Sequence, residues 1–408
     1  MAVLGAGAAG LATAILSRRS HPRLSVVLLD SAKRPGAKIL VSGGARCNVT
    51  NAIVSEADFW GGRRTIVRRV LSGWSVRDTV AFFRELGVPL HEEAEGKLFP
   101  DSNRARDVLK ALLTAADHAG VALAADHRVV DVVPAGDGFR IATSRGDLHA
   151  SRVVIAMGGQ SLPKSGSDGS GFGVARRLGH TIVPTTPGLV PLVLTNEPDG
   201  IHRELQGVAH DAELTLWIDQ KSTIRLSGSI LWTHFGISGP LTLNMSRHWL
   251  RAVLEGRQPS LTVSFCPGQL FESVESWWTA KSSERPHASV HQSLAALVPG
   301  SVATVLLNRL TIEGRTTLAH FARDHRRRLV HALVGWPLSV EGSRGYNYAE
   351  VTAGGVSLDE IDPSTMASRV CPGLFLVGEV LDVDGRIGGF NFQWAWSSAR
   401  VCATAIGA

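Results

Sequence analysis

Apolar positions along the chain fall into short runs of two kinds, and their alternation predicts an architecture. Val3-Leu4 leads through the small residues 5–10 into Leu11-Ala12-Thr13-Ala14-Ile15-Leu16, which reads as strand, turn and helix. Leu24 to Leu29 reads as a second strand, and Val129 to Val133 and Arg152 to Met157 as further buried strands. From about Pro191 to Pro267 apolar residues alternate with polar ones, as in Ala212-Glu213-Leu214-Thr215-Leu216-Trp217, which predicts a small β-domain. Between Leu270 and Val330 the spacing turns helical, around Leu294 to Leu297 and Ala303 to Leu307. A last strand, Gly373 to Val377, precedes a glycine-rich turn and a helix-compatible stretch from Phe392 to Thr404.

Candidate chemistry sits at the ends of these strands. In Gly5-Ala6-Gly7-Ala8-Ala9-Gly10, Gly5 permits a tight turn, Gly7 lets backbone approach a pyrophosphate, and Gly10 allows close helix-to-strand contact. The helix that follows offers its N-terminus to phosphate charge. Asp30 ends the second strand 25 positions after Gly5 (30 − 5) and supplies an acceptor for ribose hydroxyls. Either FAD or NAD satisfies this pattern. Only residues 1–4 precede Gly5, so the first strand is expected to be very short, with a few upstream residues missing.

Residues 36–51, GAKILVSGGARCNVTN, read as a polar loop whose Gly43-Gly44 pair lets donors reach a ring or a phosphate; the plainer reading is a capped surface turn. Ala156-Met157-Gly158-Gly159 places backbone beside an adenine or simply closes a core strand. Near the other end, Gly378-Glu379 is again strand, glycine, acid, and Gly388-Gly389 with Asn391 opens the last helix, whose N-terminus suits an anionic ring. Two glycine-acid sites at opposite ends predict one nucleotide-binding domain interrupted by inserted material.

Composition narrows the alternatives. With 408 residues and a 44% hydrophobic fraction, more than one core is expected. The start carries no export signal and no apolar run reaches about 18 residues, which points to the cytoplasm and against a membrane partner. Cys47, Cys266, Cys371 and Cys402 have no CxxC spacing, which argues against a dithiol reductase; Cys47, in the glycine loop, is not expected to be a catalytic thiol. No HExxH, GxSxG or Walker sequence occurs, so no metal is expected. The formal charge of +6 is weak support for nucleic acid, and Arg323, Arg326, Arg327 and Arg328 read as phosphate contacts or, in preference, as a solvated helix face. His234, in Thr233 to Pro240, is a proton donor or a loop histidine fixing a turn, the latter favoured. Trp277, Trp278, Trp394 and Trp396 are assigned to core.

Five segments together resemble the bacterial BaiN-like (YhiN-like, aminoacetone-oxidase-type) NAD(P)/FAD-dependent flavoproteins. These are GAGAAGLATA from Gly5, GAKILVSGGARCNVTN from Gly36, IAMGGQSLPKSGSDGSGFG from Ile155, THFGISGP from Thr233, and VTAGGVSLDEIDPSTM through GEVLDVDGRIGGFNFQWAWSSA. The likeness spans almost the whole chain and is most specific in the second and last segments. Ala45 stands where the loop often has a third glycine, and Arg386-Ile387 where a Pro-Thr pair is common.

The resemblance implies FAD, with contacts at Gly5, Gly7, Asp30, Gly43, Gly44, Gly378, Glu379 and Gly389; Ala8, Ala9, Lys38, Ser42, Val129, Ala156, Gly158, Gly388 and Asn391 complete the candidate set. It implies an α/β fold: a glutathione-reductase-like, doubly wound FAD-binding domain with an inserted β-barrel-like domain and a small helical domain. The expected segments are 1–190 and 346–408 for the FAD domain, 191–269 for the β-rich insert, with 331–345 as its candidate completion, and 270–330 for the helices. The expected function is two-electron (hydride) transfer on an unidentified small molecule, with NAD(P)H binding only transiently. Two other readings stay open: a flavin-dependent RNA-modifying or nucleic-acid-binding protein, not favoured, and an FAD-binding redox sensor that turns over nothing.

Overall fold

The computed structural model describes residues 1–195 and 200–407, which form two compact units, Met1–Gly188 with Tyr346–Ala408, and Leu189–Gly345.

In the first unit the apolar runs become a five-stranded sheet ordered Leu374–Leu376, Val153–Ile155, Ala2–Leu4, Val27–Leu29, Ala122–Ala124. Every neighbouring pair is parallel, in register at Ile155 with Leu376, Leu4 with Ile155, Leu4 with Leu29, and Leu29 with Ala124. Parallel strands are covered on both faces, which is why their residues are apolar without alternation. The first helix, Ala8–Ser20, and the last, Phe390–Ala405, supply much of that cover and share one apolar cluster with the sheet. Strand order across the sheet puts the C-terminal strand beside Val153–Ile155, so both chain ends build one sheet. A three-stranded antiparallel meander, Val129–Ala135, Gly138–Thr143 and Gly146–Ala150, is inserted before Val153.

The second unit holds a seven-stranded sheet whose pairings are all antiparallel. Its two edge strands, Trp336–Leu338 and Val340–Ser343, are joined by the single residue Ser339, so the sheet curls until one edge runs on into the other, a barrel-like arrangement. Helices Phe271–Glu284, Val290–Leu294, Gly300–Arg309 and Arg323–Gly335 pack Trp278, Leu294, Leu306 and Leu333 into the same core as Leu214, Trp232 and Val263. Sheet and helices therefore share one core. Among the described residues no helix is long and apolar enough to cross a membrane.

Two local expectations change. Residues 37–45, read as loop, are helical up to Val41, a stretch that buries Ile39 and leaves Leu40 and Val41 exposed. The helix then breaks: Ser42 turns extended (ψ 147°), and Gly43 and Gly44 adopt φ of 55° and 67°, a region glycine enters without penalty. The last helix starts at Phe390 rather than Phe392, directly after Gly389 (φ 93°).

Candidate functional site

The glycine turn after the first strand is shaped by close backbone approach at one end and by open space at the other. A Cβ on Gly10 would lie 1.8 Å from the Gly5 carbonyl oxygen, and one on Gly5 would lie 2.5 Å from the Ala156 oxygen. Gly7 differs, since a Cβ there meets nothing within 4 Å. Internal packing therefore fixes Gly5 and Gly10, whereas Gly7 leaves backbone bare toward free space. The helix that begins at Ala8 has no side-chain cap and no acid in its first turn, so its first amides and positive dipole end, at Ala8 and Ala9, remain available to an anion.

Asp30 fixes this turn from the second strand. Its Oδ2 accepts from the Ala6 amide at 2.7 Å and its Oδ1 from the Ala32 amide at 2.8 Å. The segment leading to Val129 is tied to the same place, with His127 N donating to the Asp30 carbonyl at 2.8 Å and Asp126 N to that of Ala32 at 3.1 Å. Ala156 joins through its amide, which donates to the Leu4 carbonyl at 2.8 Å, and Gly158 turns with φ 70° against Ser167.

The C-terminal segment reaches the opposite side of the turn. Gly378 has φ 74°, and a Cβ on it would lie 2.7 Å from that of Ala9. Its amide accepts support from Ser398 by donating to Oγ at 3.1 Å, and its carbonyl accepts from Trp394 Nε1 at 3.1 Å. Glu379 then meets Lys38, whose Nζ donates to Oε2 in an ion pair that is about four-fifths buried. Oε1 of Glu379 accepts from Ser161 Oγ at 2.8 Å and from Thr352 N at 3.0 Å, and Lys38 Nζ also lies 2.5 Å from Ser161 Oγ. Asp30 and Glu379 thus flank one turn, through Ala6 and Ala9.

The kinked glycine segment is held from beneath. Ser42 Oγ donates to the Ile39 carbonyl at 2.7 Å, and a Cβ on Gly43 would crowd Asn48 N at 2.9 Å, but one on Gly44 meets nothing within 4 Å. Asn51 Nδ2 donates to the Gly388 carbonyl at 3.1 Å. Asn48, oriented by its neighbours, accepts from Gly389 N at 3.1 Å and donates to the Thr50 carbonyl at 2.8 Å. Gly389 cannot carry a side chain, for its Cβ would stand 2.4 Å from the Thr50 oxygen. Asn391 spends both amide atoms on Gly385, accepting from its N at 2.8 Å and donating to its O at 2.9 Å, so its side chain shapes the turn.

Ser161 and Thr352 also hold these pieces together and were not singled out in the sequence; the signal was their position beside the glycine pairs 158–159 and 354–355. Cys47 lies wholly inside, and burial pushes its thiol up to about 12 despite a hydrogen bond from Ser42, so it stays protonated. In the second unit His234 is exposed and stacks edge-on with Phe235 at 5.1 Å. Of the arginines, Arg326 pairs with Glu275 at 3.0 Å, Arg328 donates to the Leu310 carbonyl at 2.7 Å, and Arg327 lies over the Phe271 ring. Trp278, Trp394 and Trp396 are core residues, each at most 2% exposed.

A parallel sheet with a glycine turn, a following helix end and a ribose-type acid defines a doubly wound dinucleotide-binding protein. The chain belongs to the HI0933-like protein Rossmann domain family, whose model matches residues 1–405. It is similar to the 3-dehydro-bile acid delta(4,6)-reductase of Clostridium scindens, 31% identical over 403 residues that cover 99% of this chain and 98% of that one. It is likewise similar to the ribosomal RNA dihydrouridine synthase of Escherichia coli, 32% identical over 413 residues, covering 98% and 96%. Among solved structures, the Sdh1 complex of Mycobacterium smegmatis in its apo form matches the fold with TM-score 0.50 at 13% identity, covering 100% of this chain and 67% of that one.

Proposed function

We propose that this protein is an FAD-dependent oxidoreductase that reduces a carbon–carbon double bond conjugated to a carbonyl group. The observation that carries the cofactor is the meeting, in one unit, of the Gly7 turn, the Asp30 carboxylate, the Ser42–Gly44 kink and Gly378-Glu379, with bare backbone at Gly7 and Gly44. Bound FAD supplies a hydride acceptor and donor. The first helix end and Gly7 would hold its pyrophosphate, and Asp30 would accept from its ribose. Lys38 and Glu379 would serve its sugar-alcohol chain, and Gly43, Gly44 and the helix end after Gly389 would serve its ring, where a positive dipole would stabilise negative charge.

The substrate class rests on the two relatives. A 3-dehydro-bile acid with 4,6 double bonds is a conjugated ketone. Dihydrouridine is uridine with a ring double bond, conjugated to a carbonyl, reduced. One reaction describes both names: hydride to the carbon far from the carbonyl and a proton to the nearer carbon. The arginine cluster that motivated a nucleic-acid substrate does not favour it, because Arg326, Arg327 and Arg328 are engaged within the protein.

Purified protein supplied with FAD is expected to be yellow, with bands near ~370 and ~450 nm. Dithionite-reduced holoenzyme mixed anaerobically with cyclohexenone, a conjugated keto-steroid or an oligouridylate is expected to recover the oxidised spectrum with at least one of them. A colourless protein refutes the cofactor, and a reduced flavin that none of the three reoxidises refutes the reaction.

A further inference from the structure

Lys38, Arg46 and Arg386 are the cations nearest in the chain to the two glycine turns, Gly43-Gly44 and Gly388-Gly389, that Asn48 joins. Lys38 is bound by Glu379 and donates to Ser161 Oγ at 2.5 Å. Arg46 uses Nη1 twice, on Glu93 at 2.6 Å and on Asn103 at 3.4 Å. Both are spent within the protein, and Arg386 is different.

Arg386 follows the strand Val383–Gly385, which pairs antiparallel with Phe59–Gly61, Gly385 opposite Phe59. Its backbone amide donates to the Asp58 carbonyl at 3.0 Å, and its Nε lies 2.8 Å from Asp58 Oδ1 in an ion pair. Asp58 is itself held, because its Oδ2 accepts from Ser55 N at 2.8 Å and from Ser55 Oγ at 3.1 Å. The guanidinium carbon stands 4.5 Å from the centre of the Phe390 ring, and a Cβ on Gly388 would lie 3.2 Å from Cε2 of the same ring. Phe390, the first residue of the last helix, therefore borders both the guanidinium and the glycine turn.

The clamp meets the Nε edge of the guanidinium and leaves the other end open. Among the described residues neither Nη1 nor Nη2 donates a hydrogen bond, and the side chain is 47% exposed, so both groups are within reach of a ligand. Held at Nε and against an aromatic ring, the guanidinium has already lost much of its rotamer freedom, and capturing an anion orders little more. Its coplanar N–H groups match the two oxygens of a carboxylate, which a point charge such as an ammonium does not.

We propose that Arg386 recognises a carboxylate on the substrate, so that the molecule reduced at this site is a conjugated ketone that also carries an acid group. This rests on the reaction proposed above and narrows its substrate class. Beside the turn that would serve the ring, the Nη1 and Nη2 donors hold the acid end of the molecule, and a substrate fixed at one end presents its double bond in one orientation.

The test uses full-length, FAD-loaded wild type, Arg386→Gln and Arg386→Lys, all checked for equal flavin content. Oxidised protein is titrated with benzoate and with benzamide, planar rings that differ in charge, and binding is read from the change in flavin absorbance. Wild type is expected to bind benzoate about 10–100-fold more tightly than benzamide, the worth of a charge-assisted hydrogen-bonded pair. R386Q should lose that preference, and R386K, which keeps the charge without the fork, should recover part of it. Added salt should weaken benzoate more than benzamide. Dithionite-reduced wild type should be reoxidised by a cyclohexenone carboxylate with a lower KM than by cyclohexenone, and R386Q should erase the difference. A wild type that binds neither ring, binds the two alike or prefers benzamide overturns the carboxylate, as does an R386Q that weakens both to the same extent, which is what a clamp for the turn alone would do. Failure of every enone to reoxidise the flavin, with the benzoate preference intact, overturns the reaction and leaves the anion site standing.

Discussion

The two units treat buried polar groups differently. In the first, the polar side chains buried around the last helix form a closed network, and among the described residues the hydroxyls of Ser17, Ser167 and Thr186 are buried without a hydrogen bond. Gln393, only 1% exposed, accepts from Thr50 and Thr79 at 2.7 and 2.9 Å and donates to the Trp74 carbonyl and Ser397 at 3.1 Å each. In the second, His202 is buried with neither ring nitrogen partnered, and Trp249 Nε1, Trp278 Nε1, Thr233, Thr242 and Glu275 Oε2 are likewise buried without a hydrogen bond among the described residues. Each such group costs on the order of 1–3 kcal/mol relative to a paired one. The second unit tolerates this because its large apolar core outweighs it, whereas the first must hold backbone in special conformations where an ångström matters. Around the last helix, polar satisfaction accompanies the fixing of geometry.

The severest way to break this contrast is Gly10→Ala. Its Cβ falls on the Gly5 oxygen, so a loss of about 4 kcal/mol is expected, read as a lower urea midpoint with early hydrogen exchange in the first unit. A matching test on the second unit uses pH. Burial and Arg247 push His248 down to about 3, from the 6.5 of an unfolded chain. Between those values the unfolded chain binds a proton that the folded one refuses, so stability should fall as pH drops from about 6.5 toward 3. The limit is roughly 5 kcal/mol, at about 1.4 kcal/mol per pKa unit, and helix Gly239–Leu254 should exchange first. His248→Gln should flatten that slope.

Gly7→Val sharpens the comparison, because its extended backbone and open surroundings accept a side chain without strain. Apo stability should be unchanged while FAD binding weakens at least about 100-fold, roughly 2.7 kcal/mol, by equilibrium dialysis. Lys38→Met strands the Glu379 carboxylate and should cost about 1–2 kcal/mol, measured by thermal melting, with Lys38→Arg recovering most of it. The smallest effect belongs to the joint change of Arg326, Arg327 and Arg328 to Ala. Stability should move by less than about 1 kcal/mol, and a steep salt-dependent loss of tRNA binding on this change would contradict their internal roles.

Much of the fold is legible in local pattern. The parallel sheet follows from unalternated apolar runs at Val3-Leu4, Leu24–Leu29, Val153–Ile155 and Leu374–Leu376, and the switch to alternation marks the antiparallel unit. Gly5, Gly7 and Gly10 were legible as well, since a glycine's freedom is a property of its own backbone. Position 41 shows the limit, because an apolar run of three residues beside two glycines does not announce where a helix gives way to a kink.

What the tertiary structure alone decided is who meets whom. Lys38 and Glu379 stand 341 residues apart in the chain, Thr50 and Gln393 stand 343 apart, and nothing in either neighbourhood names the other. Asn391 turns back on Gly385, a partner that only the folded turn supplies. Periodicity and backbone freedom are written residue by residue, whereas desolvation and pairing arise only once distant segments share a volume from which water is excluded.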